Sequence, residues 1–325
     1  MKAIIFFIMC IWLSLGASGA DAQVQRITFI GGPPTGVFGI FATGISTYLS
    51  KSVPNLDVSH AAGEGAVANI RRVHAGDAEM GLSFASDLHE AYHGLEKFKG
   101  KPATEIRAVG LVFIGVARLV TFAGSRIRTV DDLVGKRVAV GAPGTGTFAV
   151  AERVFRALGL WDRISRVPLL GAAAGEALTD GKVDAFFWNG PEPDRITTEA
   201  ATKKPVHIVE LYNPVSKTQF FKEYPYFTNH LIPASSYAGV TQDVGTFGVS
   251  ILWFARRDLS APLVQKVVGT AYSPEGHAHM LKVHAAARDM SPQKALLGVT
   301  IPLHKGAEGH WRSVGLEIPE LLKAR

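Results

Sequence analysis

The chain has 325 residues, of which 47% are hydrophobic and 19% charged, and its formal net charge is +6. This composition is too apolar for a disordered chain, and a single cysteine excludes cysteine-based zinc and iron–sulfur frameworks. The positive excess is small and no run of five basic residues concentrates it, so no nucleic-acid partner is expected.

The first 22 residues have the pattern of a cleavable export signal. Lys2 supplies a positive start, residues 3–15 form an apolar run that holds the only cysteine, Cys10, and Ala20-Asp21-Ala22 fits the A-x-A cleavage rule. The apolar run is too short to cross a bilayer comfortably. We therefore expect residues 1–22 to be removed as a signal peptide and the mature, cysteine-free protein to be periplasmic.

Strands and helices are then predicted to alternate in two similar series. The first series is strand 26–30, a Gly-rich turn at 31–36, a helix to residue 52, strand 56–59, helix 66–74 and strand 79–84. The second is strand 136–140, turn 141–147, helix 148–158, strand 166–170, a short helix opening at 175–176 and strand 183–188. Strands separated by helices of this length predict βαβ units and parallel pairing. The repeated order indicates a duplicated α/β unit and hence two lobes.

The segments outside these series are predicted to connect the two lobes. Two apolar runs, 107–113 and 118–122, are separated by Gly115, where we expect a crossover. Residues 247–254 look like another crossing strand. The C-terminal residues 262–322 are mostly helical in pattern and long enough to pack back onto the first lobe.

The two Gly-rich turns are the strongest chemical signal. Each follows a strand and precedes a helix, so backbone N–H groups and the positive end of a helix dipole meet there and favour an anion. Thr35, Thr145 and Thr147 add hydroxyl groups. Residues 144–149 also fit the dinucleotide pattern G-x-G-x-x-A, but the next strand ends without the acidic residue that a ribose needs. No cofactor is therefore expected.

A second motif suggests different chemistry. Residues 89–93 read His-Glu-Ala-Tyr-His, and on a helix His89 and His93 would share a face and could bind zinc, with Glu90 as general base. Gly94 follows at once and ends the helix, and no third ligand is fixed by the pattern. We expect no metal site and no enzyme, and keep a zinc-dependent hydrolase as the alternative function.

The ordered set of motifs resembles a known family. Residues 27–316 are similar to TAXI-type solute-binding proteins, the extracytoplasmic receptors of TRAP transporters. The segments that carry the resemblance are 31–38, 63–69, 75–79, 132–138, 141–147, 180–187 and 301–304.

This resemblance implies the fold class and the function. The fold would be α/β, a two-lobed, type II-like periplasmic-binding-protein fold, in which each lobe is a mixed sheet flanked by helices and the ligand lies between them. Lobe I would comprise residues 26–115 and 235–325, and lobe II residues 116–234. The protein would capture a small organic anion, a carboxylate or an amino acid, and deliver it to TRAP membrane subunits. We expect a monomer. A sensor subunit built on the same fold is a further alternative.

The resemblance also implies which residues contact the ligand. Trp188-Asn189-Gly190 follow a strand end, where ligands bind in open α/β sheets. The full set is Thr35, Gly36, Val37, Phe38, Ala66, Asn69, Phe84, Ser86, Ala142, Gly144, Thr145, Gly146, Thr147, Trp188, Asn189 and Gly190.

The chain departs from the family pattern at one edge of this set. Many relatives carry Gln-x-Asp where this chain has Phe84 and Ser86, so glutamate-like specificity does not carry over. Four arginines are candidates for a carboxylate clamp by location only: Arg71, Arg72, Arg118 and Arg153.

Overall fold

The structure is a computed structural model that describes residues 24–34, 36–143 and 145–324. Thr35, Gly144 and the predicted signal peptide lie outside the described residues. Within them, strands β1 to β10 are Gln25–Ile30, Leu56–Ala61, Met80–Phe84, Ile106–Phe122, Arg137–Ala139, Ser165–Val167, Ala185–Gly190, Val206–Val209, Phe227–Ile232 and Val244–Arg256. Helices α1 to α11 are Val37–Ser52, Ala66–Ala75, Ala85–His93, Gly146–Ala157, Ala172–Thr179, Arg195–Lys203, Tyr212–Ser216, Phe220–Glu223, Ala261–Ala271, Pro274–Val283 and Lys305–Ser313.

Two units with the same topology form the halves of one curled mixed sheet. In the first unit, β1-α1-β2-α2-β3, strand β1 lies between β2 and β3 and is parallel to both. In the second unit, β5-α4-β6-α5-β7, strand β5 lies between β6 and β7, again in parallel. The repeated order of elements predicted from the sequence is confirmed.

Two long antiparallel strands join the units. Strand β10 pairs with β3 on one side and β4 on the other, and β4 pairs with β7, which gives the order β2-β1-β3-β10-β4-β7-β5-β6. Strands β8 and β9 add to β4 and β10. The two apolar runs on either side of Gly115 form one strand, because β4 is continuous through that glycine and continues into its pairing with β7. Gly115 pairs with Val249, and a Cβ there would lie 3.3 Å from Ile251 Cδ1, so the glycine permits close packing.

Local signals explain where most helices begin and end. Gly76 and Gly94 follow α2 and α3 in the left-handed conformation that glycine adopts most easily. Thr145 caps α4, and its hydroxyl accepts a hydrogen bond from the Phe148 N–H at 3.2 Å. The predicted strand 166–170 is shorter than expected, because Pro168 has no N–H to extend the pairing of β6.

The core is continuous across the joining strands. Every residue of β4 from Ile106 to Thr121 is buried. The C-terminal helices pack against this strand, where the Trp311 indole N–H donates to Val109 O at 2.7 Å and the Tyr272 hydroxyl donates to Leu111 O at 2.6 Å. Helices α9 and α10 also pack against α1 of the first unit, so the expected return of the C-terminal segment onto the first part of the chain is present. Among the described residues, no helix has the length and apolar character needed to cross a bilayer.

Candidate binding cavity

A cavity of about 700 Å³ lies between α2 of the first unit and α4 of the second. It opens at the carboxyl ends of β3 and β7, which is where open α/β sheets bind ligands. Its lining residues are Glu64, Gly65, Ala66, Val67, Ala68, Arg71, Arg72, Phe84, Ser86, Asp87, Lys97, Thr145, Gly146, Ala149, Val150, Arg153, Asn189 and Val249.

Helix α2 forms one wall because its two faces differ. Ile70 and Val73 are fully buried in the core, whereas Ala68 and Arg72 lie on the face that lines the cavity. Gly65 precedes the helix with a φ of 135°, a conformation that side chains rarely adopt, and nothing lies within 4 Å of where its Cβ would be. The N-terminus of α2 therefore reaches the cavity with an open backbone.

Helix α4 forms the facing wall in the same way. Gly146, Ala149 and Arg153 recur at helical spacing along the cavity, while Val154 and Phe155 are fully buried on the other face. The Thr145 hydroxyl is already engaged, since it donates to Ala142 O at 2.7 Å and caps the helix. A ligand at this end would meet the helix dipole and backbone rather than a free threonine hydroxyl.

The floor combines neutral polar and apolar groups. Phe84 and Ser86 stand where β3 passes into α3, Asn189 lies near the end of β7, and Val249 belongs to the long strand β10. Asn189 is 9% exposed, and its Oδ1 is buried without a hydrogen-bond partner among the described residues. The floor thus offers hydroxyl and amide groups but no unpaired charge.

Two ion pairs set the charge at one side of the cavity. The Arg153 guanidinium lies 2.5 Å from Glu90 Oε1 and faces the rings of Tyr224 and Tyr226 at 5.2 and 5.9 Å. Burial raises the pKa of Glu90 above the ordinary glutamate value, although Arg153 acts in the opposite direction. This pair links α3, which follows the first unit, to α4 of the second.

The second ion pair lies beside the first. Lys97 Nζ is 3.6 Å from Asp87 Oδ1. Burial raises the pKa of Asp87 above its usual value, and the positive charges of Lys97 and Arg153 oppose that rise. Both acidic side chains that lie deep at this side therefore already have a cationic partner.

Arg71 and Arg72 carry the remaining positive charge of the α2 wall. Arg71 lies 5.6 Å from the centre of the Phe98 ring, and Arg72 Nη1 makes only a long contact of 3.5 Å to Ala62 O. No carboxylate of the described residues forms an ion pair with either side chain. The cavity therefore keeps two guanidinium groups available for an anion.

The structure brings six of the predicted ligand contacts to the cavity: Ala66, Phe84, Ser86, Thr145, Gly146 and Asn189. It places eight others outside the lining: Gly36, Val37, Phe38, Asn69, Ala142, Thr147, Trp188 and Gly190. Phe38 stands behind the lining, with its ring 5.2 Å from that of Phe84. The Asn69 amide is buried and donates to Gly31 O and Leu82 O, so it holds the first turn in place.

Arg118 also lies away from the cavity lining. Its side chain is fully buried, its Nη2 donates to Gly190 O at 3.0 Å and Pro191 O at 2.7 Å, and its Nε is 3.1 Å from Asp194 Oδ2. Arg118 therefore fixes the segment that follows β7. Of the four arginines considered from the sequence, the other three line the cavity.

Several lining residues were missed by the motif reasoning. Glu64, just before α2, and Ala68 follow the same helical face as Arg71 and Arg72, which the sequence had indicated by location, and this helical spacing is the signal that could have found them. Lys97 and Val249 come from a short turn and a crossing strand. No local pattern marks these two, because the fold alone brings them to the cavity.

The His-Glu-x-x-His segment has other partners. His89 and His93 share a face of α3, with ring centres 4.6 Å apart, but His89 Nδ1 lies 3.0 Å from Thr300 Oγ1 and Glu90 holds Arg153. Burial lowers the pKa of His89 to about 4. In the part of the chain that the structure describes, no group of three or more His, Cys, Asp or Glu side chains could hold a metal.

Comparison with known proteins identifies the family. A model described as the NMT1-like family matches residues 29–315. The chain belongs to the NMT1-like family. This NMT1-like protein is also similar to the crystal structure of the periplasmic aliphatic sulphonate binding protein SsuA from Escherichia coli, with 16% identity, a TM-score of 0.51 and 90% of each chain covered.

A second structural neighbour supports the same fold. A TctC solute binding protein from Polaromonas matches with 16% identity and a TM-score of 0.53, covering 89% of the NMT1-like chain and 97% of its own. At these identities the likeness shows the fold. The expected fold class, a two-lobed α/β fold of periplasmic solute-binding proteins, is confirmed.

Proposed function

We propose that this NMT1-like protein is an extracytoplasmic solute-binding receptor that captures a small organic anion, a carboxylate or an amino acid, between two lobes. The observation that carries this proposal is the cavity between α2 and α4, which is lined by two helix N-termini and, farther along α2, by Arg71 and Arg72 without an ion-pair partner among the described residues. Both features favour an anionic group: the helix ends through their dipoles and N–H groups, and the guanidinium groups through charge-assisted hydrogen bonds.

The proposed lobes give the cavity a means of closing. With lobe I as residues 26–115 and 235–325 and lobe II as residues 116–234, the walls α2 and α4 belong to different lobes. A rotation of the lobes about the connecting strands would then bring both walls onto the ligand. Such hinge closure around a ligand is a common property of periplasmic binding proteins.

The transporter partner and the localisation are proposed from the resemblance of the sequence to TAXI-type receptors. TAXI-type receptors work with TRAP membrane subunits, and we propose the same partnership here for a monomeric, periplasmic protein released from residues 1–22. The names of the structural neighbours support solute binding in general, and one of them names an aliphatic sulphonate. Sulphonates carry the same single negative charge as carboxylates, so they belong in the test.

Ligand screening of the purified chain from residue 23 onwards tests the proposal. A panel of carboxylates, amino acids and aliphatic sulphonates is added during thermal unfolding, followed by calorimetric titration. A true ligand at about 100 times its Kd should add about 2.7 kcal/mol to the free energy of unfolding. A panel in which no compound raises the melting temperature would overturn the proposal.

Two variants locate the binding. The double variant Arg71→Gln, Arg72→Gln should lose about 10- to 100-fold in affinity, because each lost charge-assisted hydrogen bond is worth about 1.5–3 kcal/mol and water recovers part of it. Arg195→Gln is the matched control, since Arg195 is exposed on α6, away from the cavity, and pairs with Glu199. Equal affinity in both variants would show that the ligand binds elsewhere.

A further inference from the structure

The proposed function leaves open whether the ligand is an amino acid or a carboxylic acid without an amino group. The distribution of charge in the cavity distinguishes between these two classes, and this inference rests on the proposed function. The charged lining residues are Glu64, Arg71, Arg72, Asp87, Lys97 and Arg153. An amino acid brings a positively charged ammonium group as well as a carboxylate, so it needs an unpaired carboxylate in the site to balance that charge. A dicarboxylic acid needs a second cation instead.

The deep acidic groups are not free to accept an ammonium. Asp87 is held by Lys97 and Glu90 by Arg153, and the side chains of Asp87 and Glu90 are only 13% and 4% exposed. A ligand ammonium on Asp87 would lie beside the positive charge of Lys97. An ammonium on Glu90 would leave the Arg153 guanidinium, only 19% exposed, without its partner. The ligand would have to replace that interaction in full.

The aromatic faces at this side are also engaged. The rings of Tyr224 and Tyr226 face the Arg153 guanidinium, so they do not offer an open cation–π site. Glu64 is the remaining acidic lining residue. It is exposed and stands directly before α2, where the helix dipole stabilises its negative charge. An exposed carboxylate at the rim would bind an ammonium weakly, because water competes for both groups.

The unpaired groups favour a second anionic group on the ligand. Arg71 and Arg72 are adjacent on α2, both line the cavity, and neither forms an ion pair with a described carboxylate. Ser86 and Asn189 on the floor are neutral hydrogen-bonding groups that suit an oxo or hydroxyl substituent. We propose that the ligand is a dicarboxylic acid with an oxo or hydroxyl substituent in place of an amino group, held by Arg71 and Arg72.

Matched ligand pairs test this inference by calorimetry at pH 7.5. The pairs are 2-oxoglutarate with glutamate and malate with aspartate, which differ at one substituent. The oxo or hydroxy acid should bind at least tenfold more tightly than the amino acid of the same pair. If the amino acid binds equally or more tightly, this inference is wrong while the receptor function stands. If neither pair binds but another compound of the panel does, this inference is also wrong; if no compound of the panel binds, the proposed function itself fails.

Two lysine variants show whether the ion pairs cause the discrimination. Lys97→Met frees Asp87 to accept an ammonium, so the preference for 2-oxoglutarate over glutamate should fall at least threefold. Lys99→Met is the control, because Lys99 lies in the same connecting segment and does not line this cavity. Circular dichroism confirms folding of each variant. A folded Lys97→Met protein with an unchanged preference would overturn the assignment of Asp87 as an engaged group.

Discussion

The two βαβαβ units share a strand order, yet they contribute different helices to the cavity. The first unit contributes its second helix, α2, whereas the second unit contributes its first helix, α4. The helix of the first unit that is equivalent to α4 is α1, and it packs against α10 instead of lining the cavity. Gly44 of α1 is so close to Met280 and Val283 of α10 that a Cβ would lie 3.0–3.1 Å from their side chains.

The Gly-rich turns before these helices differ accordingly. At the first turn, a Cβ on Gly39 of α1 would lie 2.0 Å from Pro33 O, so this glycine lets the helix pack closely on the turn backbone. In the second turn, a Cβ on Gly146 would meet only the Phe84 ring, at 3.3 Å, beside the cavity. A duplicated turn is therefore structural in one unit and faces a candidate ligand site in the other.

The largest expected effect on stability comes from disrupting the close contact between Gly39 and Pro33 O. Gly39→Val should lower the free energy of unfolding by about 3 kcal/mol, because the new side chain has to displace backbone. Urea unfolding measures it. Gly36→Ala, in the turn itself, is the control and should stay within about 1 kcal/mol, because its Cβ would lie 3.4 Å from Pro33 O. Similar losses in both variants would show that the first turn is not tightly packed.

The next effect concerns the ion pair that connects the units. Arg153→Met should destabilise the fold by about 2 kcal/mol, because it leaves the Glu90 carboxylate, only 4% exposed, without its cation. This is below the usual cost for a fully buried pair because the Arg153 side chain is itself 19% exposed. Glu152→Gln serves as the control, since Glu152 pairs with Arg156 on the exposed side of α4, and it should cost less than about 0.5 kcal/mol. Thermal unfolding compares the two, and equal values would argue against a connection through Glu90.

A smaller effect comes from His304, a buried histidine that precedes α11. Burial lowers the pKa of His304 from 6.5 to about 4, so the unfolded chain binds a proton that the folded chain does not between these pH values. Stability should therefore fall as the pH drops from 6.5 towards 4, by about 1–2 kcal/mol for this residue between pH 7 and pH 5.

A variant isolates this histidine from other titrating groups. The raised pKa values of Asp87 and Glu90 act with the opposite sign, since their protonation favours the folded state as the pH falls. His304 also caps α11 by accepting the Gly306 N–H, and His304→Asn keeps a capping side chain. The pH slope of the unfolding free energy should be shallower in His304→Asn. An unchanged slope would contradict the buried neutral histidine.

The smallest expected effect on stability concerns Gly146 in the second Gly-rich turn, which faces the cavity. Gly146→Ala should change the free energy of unfolding by less than about 1 kcal/mol, because alanine suits the start of a helix and the nearest atoms belong to the Phe84 ring. The new methyl group narrows the cavity, so ligand affinity should fall about tenfold. Gly124→Ala has open space around it and is the control for both measurements. Unchanged affinity in Gly146→Ala would remove the second turn from the binding site.

The order of elements could be predicted because the signals are local. Strand 26–30, the helix ends at Gly76 and Gly94 and the turn before α4 all depend on residues close in sequence. The continuity of β4 through Gly115 could not be predicted, because it depends on β10, more than a hundred residues away. Distant pairing decides whether a glycine interrupts a strand or lets it pack closely.

The cavity was predictable in part for the same reason. The second turn and Asn189 were found because strand ends and helix starts have local patterns. The partners of Glu90 and Asp87 were not, since Arg153 and Lys97 reach them only in the folded chain. Arg118 is the clearest example of a contact that the sequence alone does not reveal. Its location made it a candidate for binding the ligand carboxylate, but in the structure it pairs with Asp194 and donates to two backbone carbonyls.

The long strand β10 has a consequence for how the chain folds during synthesis. Phe84 of β3 pairs with Ile251 of β10, so the first unit keeps an exposed strand edge until most of the chain has been made. Pairing over such distances in sequence slows folding and leaves incomplete sheets open to aggregation. Fragments that end before Val244 should therefore be poor folding units, because the edge of β3 would stay unpaired in them.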